Sequence, residues 1–288
     1  MYVDGHERTD VVAYRTQFLE RMKIYEPFMP QFVGPEMESE IWPARDAIIL
    51  VTHDESTFAA HVGQKKLWFP DGEQPLRKKG AGRSIHVSEF LTDVVTQCKD
   101  LFAFDNASSH AAFAEDAIVS QRMNLGPVGK QPVMWNGMFG DGKSQSMVLP
   151  AYHPLAGQPK SIKTVLQERN LWIRLDCRDL FGDSGATGSC CGRSIIPNQP
   201  DFKAQKDLLE ETITVAGHLI ICYPKFHCEF NFLESFWEEA QRYARKNCDY
   251  TWKGLVATVS KALASVSLAQ SFAMLASASF IWMCIGKI

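Results

Sequence analysis

Apolar positions along the chain follow two rhythms, a helical period of about 3.6 residues and short continuous runs, and together they divide the sequence into predicted elements. ERTDVVAYRTQFLERM sets Val11, Val12, Tyr14, Phe18, Leu19 and Met22 near one face of a helix. Pro27, Pro30, Pro35 and Pro43 then mark an irregular connection, since proline lacks the amide that helices and ladders use. In AIILVTHDES the consecutive apolar residues suit a strand buried on both faces and ending at Asp54. KKLWF and SIHVSEFL predict two further strands, joined as a long hairpin through the glycine-rich basic loop PDGEQPLRKKGAGR. TDVVTQCKD leads to LFAFDN, another buried strand closed by an aspartate, and a helix is predicted from about Ser109 to Arg122. From Met123 to about Gln199 periodicity is lost among Gly, Pro and Ser, so this stretch reads as an insertion with TVLQERNLWIRL as its one regular part. FKAQKDLLEETITVAG predicts a helix and HLIICYP a short strand. NFLESFWEEAQRYARKN is strongly periodic, with Phe232, Leu233, Phe236, Trp237, Ala240, Tyr243 and Ala244 as its apolar stripe.

This order predicts an α/β fold, a mixed sheet flanked by helices. Residues 1–44 form a helix and linker, 45–253 the core with its insertion at about 123–199, and 254–288 an apolar tail. Composition changes little: 288 residues with 45% hydrophobic and 22% charged side chains suit a globular protein of one or two domains. A net charge of -3 supplies no overall cationic field, so any hold on nucleic acid must come from local patches. MYVDGHERTD is polar where a secretory leader needs an apolar centre, which predicts an intracellular protein. Eight cysteines spread over the chain are too sparse for a disulfide framework and point to buried thiols or a metal site.

The two strand-closing aspartates carry the first chemical suggestion. Parallel neighbouring strands would set Asp54 and Asp105 side by side at their carboxyl ends, where open sheets gather ligands. Adjacent carboxylates repel unless a proton or a cation lies between them, and hard oxygen donors suit magnesium or manganese. The plainer reading is that Asp54 starts a turn and that Asp105 or Asn106 caps the following helix. Glu234 offers a third acid at the margin of the apolar stripe, one turn from Glu238; equally, Asn231 as cap with Glu234 three residues on resembles a capping box. Trp237 fits core better than a base-stacking platform, and Glu238 and Glu239 read as a solvated face.

The blocks VTHDESTF, FAFDNASSHAAFAEDA and YPKFHCEFNFLESFWEEAQRYARKNCDYTW resemble the three acidic blocks of fungal DDE transposases of the mariner-like branch. YVDGHERTDVVAYR and LRKKGAGRSIHVSEFLTD resemble further segments of that family, so the likeness spans residues 2 to about 253. It implies an RNase-H-like core in which Asp54, Asp105 and Glu234 are the catalytic, metal-binding acids holding two Mg2+ or Mn2+ ions. The implied function is divalent-metal-dependent cleavage and strand transfer of DNA, in the nucleus, with a homodimer as the candidate assembly. Lys65, Lys66, Arg77, Lys78, Lys79 and Arg83, with Arg242, Arg245 and Lys246 beyond the third acid, become phosphate contacts, which position DNA without reading its sequence. Without the likeness these residues read as a solvated hairpin and helix end.

Departures from that family carry expectations of their own. Its helix-turn-helix segments precede YVDGHER, where this sequence has only Met1, so specific recognition of transposon ends is expected to be absent. Thr92 to Asp100 leaves room for barely two helical turns where the family has a strand and a crossover helix, which is expected to disturb the alignment of Asp105 with Asp54. Cys177, Cys190 and Cys191 are candidate zinc ligands, although no CxxC pair accompanies them, and His227 and Cys228 lie near the third acid. Ala262 to Gly286 carries no charge and has about the ~20-residue length of a membrane span, but its serines and glutamine make it only mildly apolar. It is read as a remnant or gene-model artefact rather than an anchor. The alternative to an active enzyme, or its inactive remnant, is a non-catalytic protein keeping the fold as a DNA-binding module or a membrane-associated one through 262–286.

Overall fold

The computed structural model of the chain describes residues 5–34, 39–62, 80–92, 98–107, 110–127, 129–140, 142–172, 192–267, 270–271 and 273–274. Two compact units divide it, one built from Met1–His110 with Thr212–Ile288 and the other from Ala111–Glu211.

The first unit is a mixed α/β arrangement. Helix α1 (Thr9–Tyr25) and a small antiparallel pair, β1 (Gln31–Val33) with β2 (Ser39–Ile41), precede a four-stranded sheet. That sheet contains β3 (Ile48–Ala59), β4 (Ser84–Thr92), β5 (Lys99–Phe104) and β8 (Leu219–Cys222), in the order β4-β3-β5-β8. Strand β4 runs antiparallel to β3, whereas β5 and β8 run parallel to it and to each other. Helices α6 (Leu233–Asn247) and α7 (Trp252–Ala264) follow.

Strand β3 changes character along its length. Its first six residues are buried, whereas beyond Asp54 burial alternates. Strand β5 pairs with Ile48 to Thr52 and β4 with Val51 to Ala59. A strand covered on both faces is apolar throughout; one with a single face covered shows the two-residue alternation.

One face of the sheet meets α1, α6 and α7 in a core that includes Phe18, Leu50, Leu101, Ile221, Leu233 and Leu255. Leu101 and Leu233 are wholly buried, and full burial of such a side chain is worth about 1.5–3 kcal/mol. The predicted stripe of α6 is realised: Trp237 packs edge-on to Phe58 at 6.4 Å between centroids, which makes it core. Strand β8 has β5 on one side, and α1 serves the carbonyls left over. Tyr14 Oη donates to Cys222 O at 2.9 Å and the Arg21 guanidinium to Ile220 O at 2.6 Å. Gly217, at φ 87°, adopts the left-handed backbone that ends α5 (Leu208–Val215) and turns the chain into β8.

The short stretch from Thr92 to Lys99 does not misalign β5, contrary to expectation. Thr92 pairs with Val51 and Lys99 with Ile48, so β4 has already returned the chain to the end of the sheet where β5 begins. A long crossover is needed between parallel strands joined directly, and here an antiparallel strand intervenes.

The second unit has its own core around Ile118, Met134, Met147, Leu166 and Ile196. It contains the hairpin β6 (Gly137–Phe139) and β7 (Lys143–Gln145), then α2 (Ile162–Glu168), α3 (Gly192–Ile195) and α4 (Pro200–Lys203). Arg169 organises it: the guanidinium donates to both carboxylate oxygens of Asp201, at 2.9 and 2.6 Å, and to Gln145 Oε1 at 2.8 Å. The two charged side chains are 1% and 7% exposed.

Two predicted helices are corrected here. Residues 110–119 form turns and irregular chain, with a single 3-10 turn at Ser120–Arg122. The Arg122 guanidinium donates to the carbonyls of Phe113, Ala114 and Glu115, replacing the amides a helix would have supplied. The segment FKAQKDLLEETITVAG is broken into α4 and α5. Gln205 Oε1 accepts from the amide of Ile118 and the indole of Trp135, both at 3.0 Å, and Asp207 caps the second piece by accepting from Glu210 N at 2.7 Å. The predicted strand KKLWF lies outside the described residues. Among the described residues no helix is long and apolar enough to cross a membrane. The start of the uncharged tail is packed inward, with Ala262 and Val266 in the core of the first unit.

Candidate metal centre

The β3/β5 ladder keeps a constant register, ending with Thr52 opposite Ala103. Continued by two residues, that register sets Asp105 beside Asp54. Asp105 directly follows the end of β5, but Asp54 lies within β3 and not at its carboxyl end as the sequence predicted: the ladder to β4 carries the strand on to Ala59. On β3 the side chains of Thr52, Asp54, Ser56 and Phe58 share the face that meets α6. Thr52 hydrogen-bonds Tyr223 Oη at 3.0 Å, Ser56 accepts from Gln241 at 2.8 Å, and Asp54 Oδ2 accepts from Asn231 Nδ2 at 2.9 Å.

Asn231 has a second duty. Its Oδ1 accepts from Leu233 N at 3.1 Å at the start of α6, so one buried side chain ties the helix to the first acid. The capping box is therefore replaced by a different arrangement: Glu234 N bonds Asn231 O at 3.1 Å, and the cap oxygen takes the Leu233 amide. Glu234 projects from the first turn of α6, where peptide dipoles favour negative charge.

Electrostatics bind the three acids into one group. Burial pushes the Asp54 carboxyl above the usual carboxylate range and the charge of Asp105 adds to this, against the pull of the Glu55 amide and Asn231. Glu234 is exposed to solvent on one side, yet it too is raised, first by desolvation on its protein side and then by the charges of Asp54 and Asp105. Asp105 is steadied by the Ala107 amide at 3.2 Å and by His110 Nδ1 at 2.8 Å. The neighbouring Tyr223 hydroxyl, fully buried and facing the charge of Asp54, is held protonated.

Two tighter groups also occur among the described residues, His53 with Glu55 and His110, and His6 with His227 and Glu229, each with ligand atoms all within 4.8 Å of one another. Asp54, Asp105 and Glu234 are not one of these groups. In the second group both ring nitrogens of His227 are engaged, Nδ1 with Glu229 at 2.7 Å and Nε2 with Arg15 at 3.2 Å. Burial lowers the basicity of His53 and nearby His110 adds to the effect.

Among the basic residues expected to meet phosphate, Arg83 stacks over the Trp252 ring at 3.9 Å, Arg242 pairs with Glu239, and Arg245 donates to Gln241 at 2.9 Å. Lys246 is exposed on the last turn of α6. Lys65, Lys66, Arg77, Lys78 and Lys79 lie outside the described residues, as do the candidate zinc ligands Cys177, Cys190 and Cys191. Cys228 does lie near the third acid: burial first, then the charge of Glu234, keeps its thiol protonated.

Asn231, His53 and His110 were not assigned to the site from sequence. A signal for them existed: His53 immediately precedes the first acid, hence faces the other side of the sheet, and His110 follows the second acid by five positions. No protein-family model matches the sequence, and no curated protein matches it.

Proposed function

We propose that this chain is the catalytic core of a divalent-metal-dependent DNA strand-transfer enzyme with an RNase-H-like fold, similar to fungal DDE transposases of the mariner-like branch. The observation that carries the reading is the electrostatic grouping of Asp54, Asp105 and Glu234 by the β3/β5 register and the start of α6. The strand order supports it: an antiparallel neighbour follows the strand of the first acid, then a parallel partner ends at the second.

The donor set fits Mg2+ or Mn2+. Three carboxylates supply hard oxygen; Asp54 and Glu234 are raised first by burial and then by neighbouring acid charge, the part that a cation would offset. When bound, two such ions supply an activated water or DNA 3′-hydroxyl and charge stabilisation of the leaving oxygen. The protein supplies orientation. Asn231 and the Glu55 amide, at 2.9 and 2.7 Å, hold the Asp54 carboxylate. Ala107 and His110 aim Asp105, and Glu234 approaches from the helix. Arg83, Arg242 and Arg245, each leaving a weak partner, and the exposed Lys246 are proposed to meet the DNA backbone.

Nicking of supercoiled plasmid tests this. Cleavage should require magnesium or manganese and disappear in both Asp105→Ala and Glu234→Gln. Folded protein that neither binds the metals nor nicks DNA would overturn the reading and favour a non-catalytic DNA-binding or membrane-associated module.

A further inference from the structure

We propose that His53, Glu55 and His110 bind one transition-metal ion of the zinc class, at a site separate from the three acids and on the other face of β3. Alternation along the strand turns residues 53 and 55 away from Asp54. Their neighbours agree: the His53 ring lies 4.6 Å from Phe90, 5.3 Å from Phe104 and 5.2 Å from His110, centroid to centroid.

Three features make this more than a chance cluster. One ligand atom from each of the three residues lies within 4.8 Å of the other two. His53 is 5% exposed and its Nδ1 is buried with no hydrogen-bond partner. Its other nitrogen, Nε2, lies 2.8 Å from Ser88 Oγ. With Nε2–H donating to Ser88, Nδ1 carries an unused lone pair, which is costly to bury unless something takes it. His110 is arranged in the same sense: Nδ1 meets the Asp105 carboxylate at 2.8 Å, leaving Nε2 as its lone-pair nitrogen. A histidine that gives its second N–H to a carboxylate or hydroxyl is the usual form of a metal-bound histidine, because the outer partner fixes the tautomer and raises ligand basicity.

The donor set selects the metal. Two imidazoles and one carboxylate suit zinc with a fourth position open to water, whereas magnesium prefers oxygen alone. The carboxylate of Glu55 is steadied by His86 Nε2 at 3.0 Å. The group around His227 makes a poorer site, since both of that ring's nitrogens are engaged and one faces the cation of Arg15. An ion on His53 and His110 would fasten the loop of the second acid to the strand of the first, through the His110–Asp105 bond. Its role is positional, and it stands whether or not the chain cleaves DNA.

The test is metal binding by the full chain. After stripping with chelator and reloading with zinc in excess magnesium, elemental analysis should find zinc retained, and cobalt(II) should give the visible bands of a nitrogen-ligated, low-coordinate ion. Glu55→Gln, at an exposed position, and His110→Gln should each remove one equivalent; Ser88→Ala should weaken binding about 10–100-fold. Asp54→Asn and Glu234→Gln should leave that equivalent in place. Wild-type protein without zinc, zinc retained at full stoichiometry in folded Glu55→Gln, or zinc lost in Glu234→Gln or His227→Gln would each overturn the proposal.

Discussion

Replacing Asn231 by alanine probes the site through the residue that joins its two halves. The change removes the acceptor of the Leu233 amide and the donor to Asp54. Loss of a helix-start acceptor costs about 0.5–2 kcal/mol. A hydrogen bond to a charged group is worth about 1.5–3 kcal/mol, reduced here because Asp54 is only partly buried and water takes up some of the loss. The sum is about 2–3 kcal/mol, or roughly 5–10 °C in Tm for a unit of this size. Asn231→Asp separates the two contributions. It keeps the acceptor for Leu233 but sets a second carboxylate against Asp54. Near neutral pH it should be less stable than the alanine variant; on acidification one of the facing carboxylates takes up a proton and donates it to the other, so its deficit narrows more steeply. Chemical denaturation followed by far-UV circular dichroism at several pH values reads both effects. An alanine variant within about 0.5 kcal/mol of wild type, a cost typical of an uninvolved surface position, would refute the argument. So would an aspartate variant no worse than alanine near neutral pH.

Other outcomes follow from the same geometry. Glu234→Gln relieves repulsion in the ion-free protein and should stabilise it by up to about 1 kcal/mol, solvent screening included. It should also lose the magnesium-induced stabilisation, which for wild type is about 1.4 kcal/mol at ten times the dissociation constant; a gain unchanged from wild type would sink the three-acid assignment. Because the folded-state affinities of Asp54 and Glu234 for protons are raised, their contribution is fully present below the ordinary carboxylate range and is lost as pH rises through their folded values. Magnesium titrated into the protein at pH 7 should restore stability that an ion-free pH series shows to decline, and equal pH profiles with and without the ion would count against it. In the second unit, Arg169→Met leaves Asp201 buried without its partner and should cost about 3–5 kcal/mol there. Hydrogen exchange should speed across Ala111–Glu211, and unchanged protection would contradict the role given to this pair.

Legibility from sequence followed the strength of local periodicity. Helices α1 and α6, strands β5 and β8 and the buried first half of β3 were readable because the core they face imposes one rhythm on each; the alternating continuation of β3 to Ala59 was not. The pairing of Asp54 with Asp105 was readable as well, since two apolar runs each followed by an aspartate announce parallel strands in matched register. The stretch after Asp105 was misread because its alanines suit a helix, while the guanidinium that holds it open, Arg122, acts through carbonyls and leaves no periodic trace. The break at Ala204–Asp207 was hidden for a similar reason: Gln205 is a good helix former, and its partners Ile118 and Trp135 are remote in sequence. Asn231 looked like a cap and is one in part, but its bond to Asp54 spans 177 positions, beyond any window of local reading.

The clasp of α1 on β8 sets an order on biosynthesis. Tyr14 leaves the ribosome early, yet the carbonyl it serves belongs to Cys222, and Glu234 emerges later still. Throughout translation of Ala111–Glu211 the nascent chain carries two acids without the third, and a first helix whose docking strand does not yet exist. Any chemistry of the completed trio is thereby withheld until most of the polypeptide has been made.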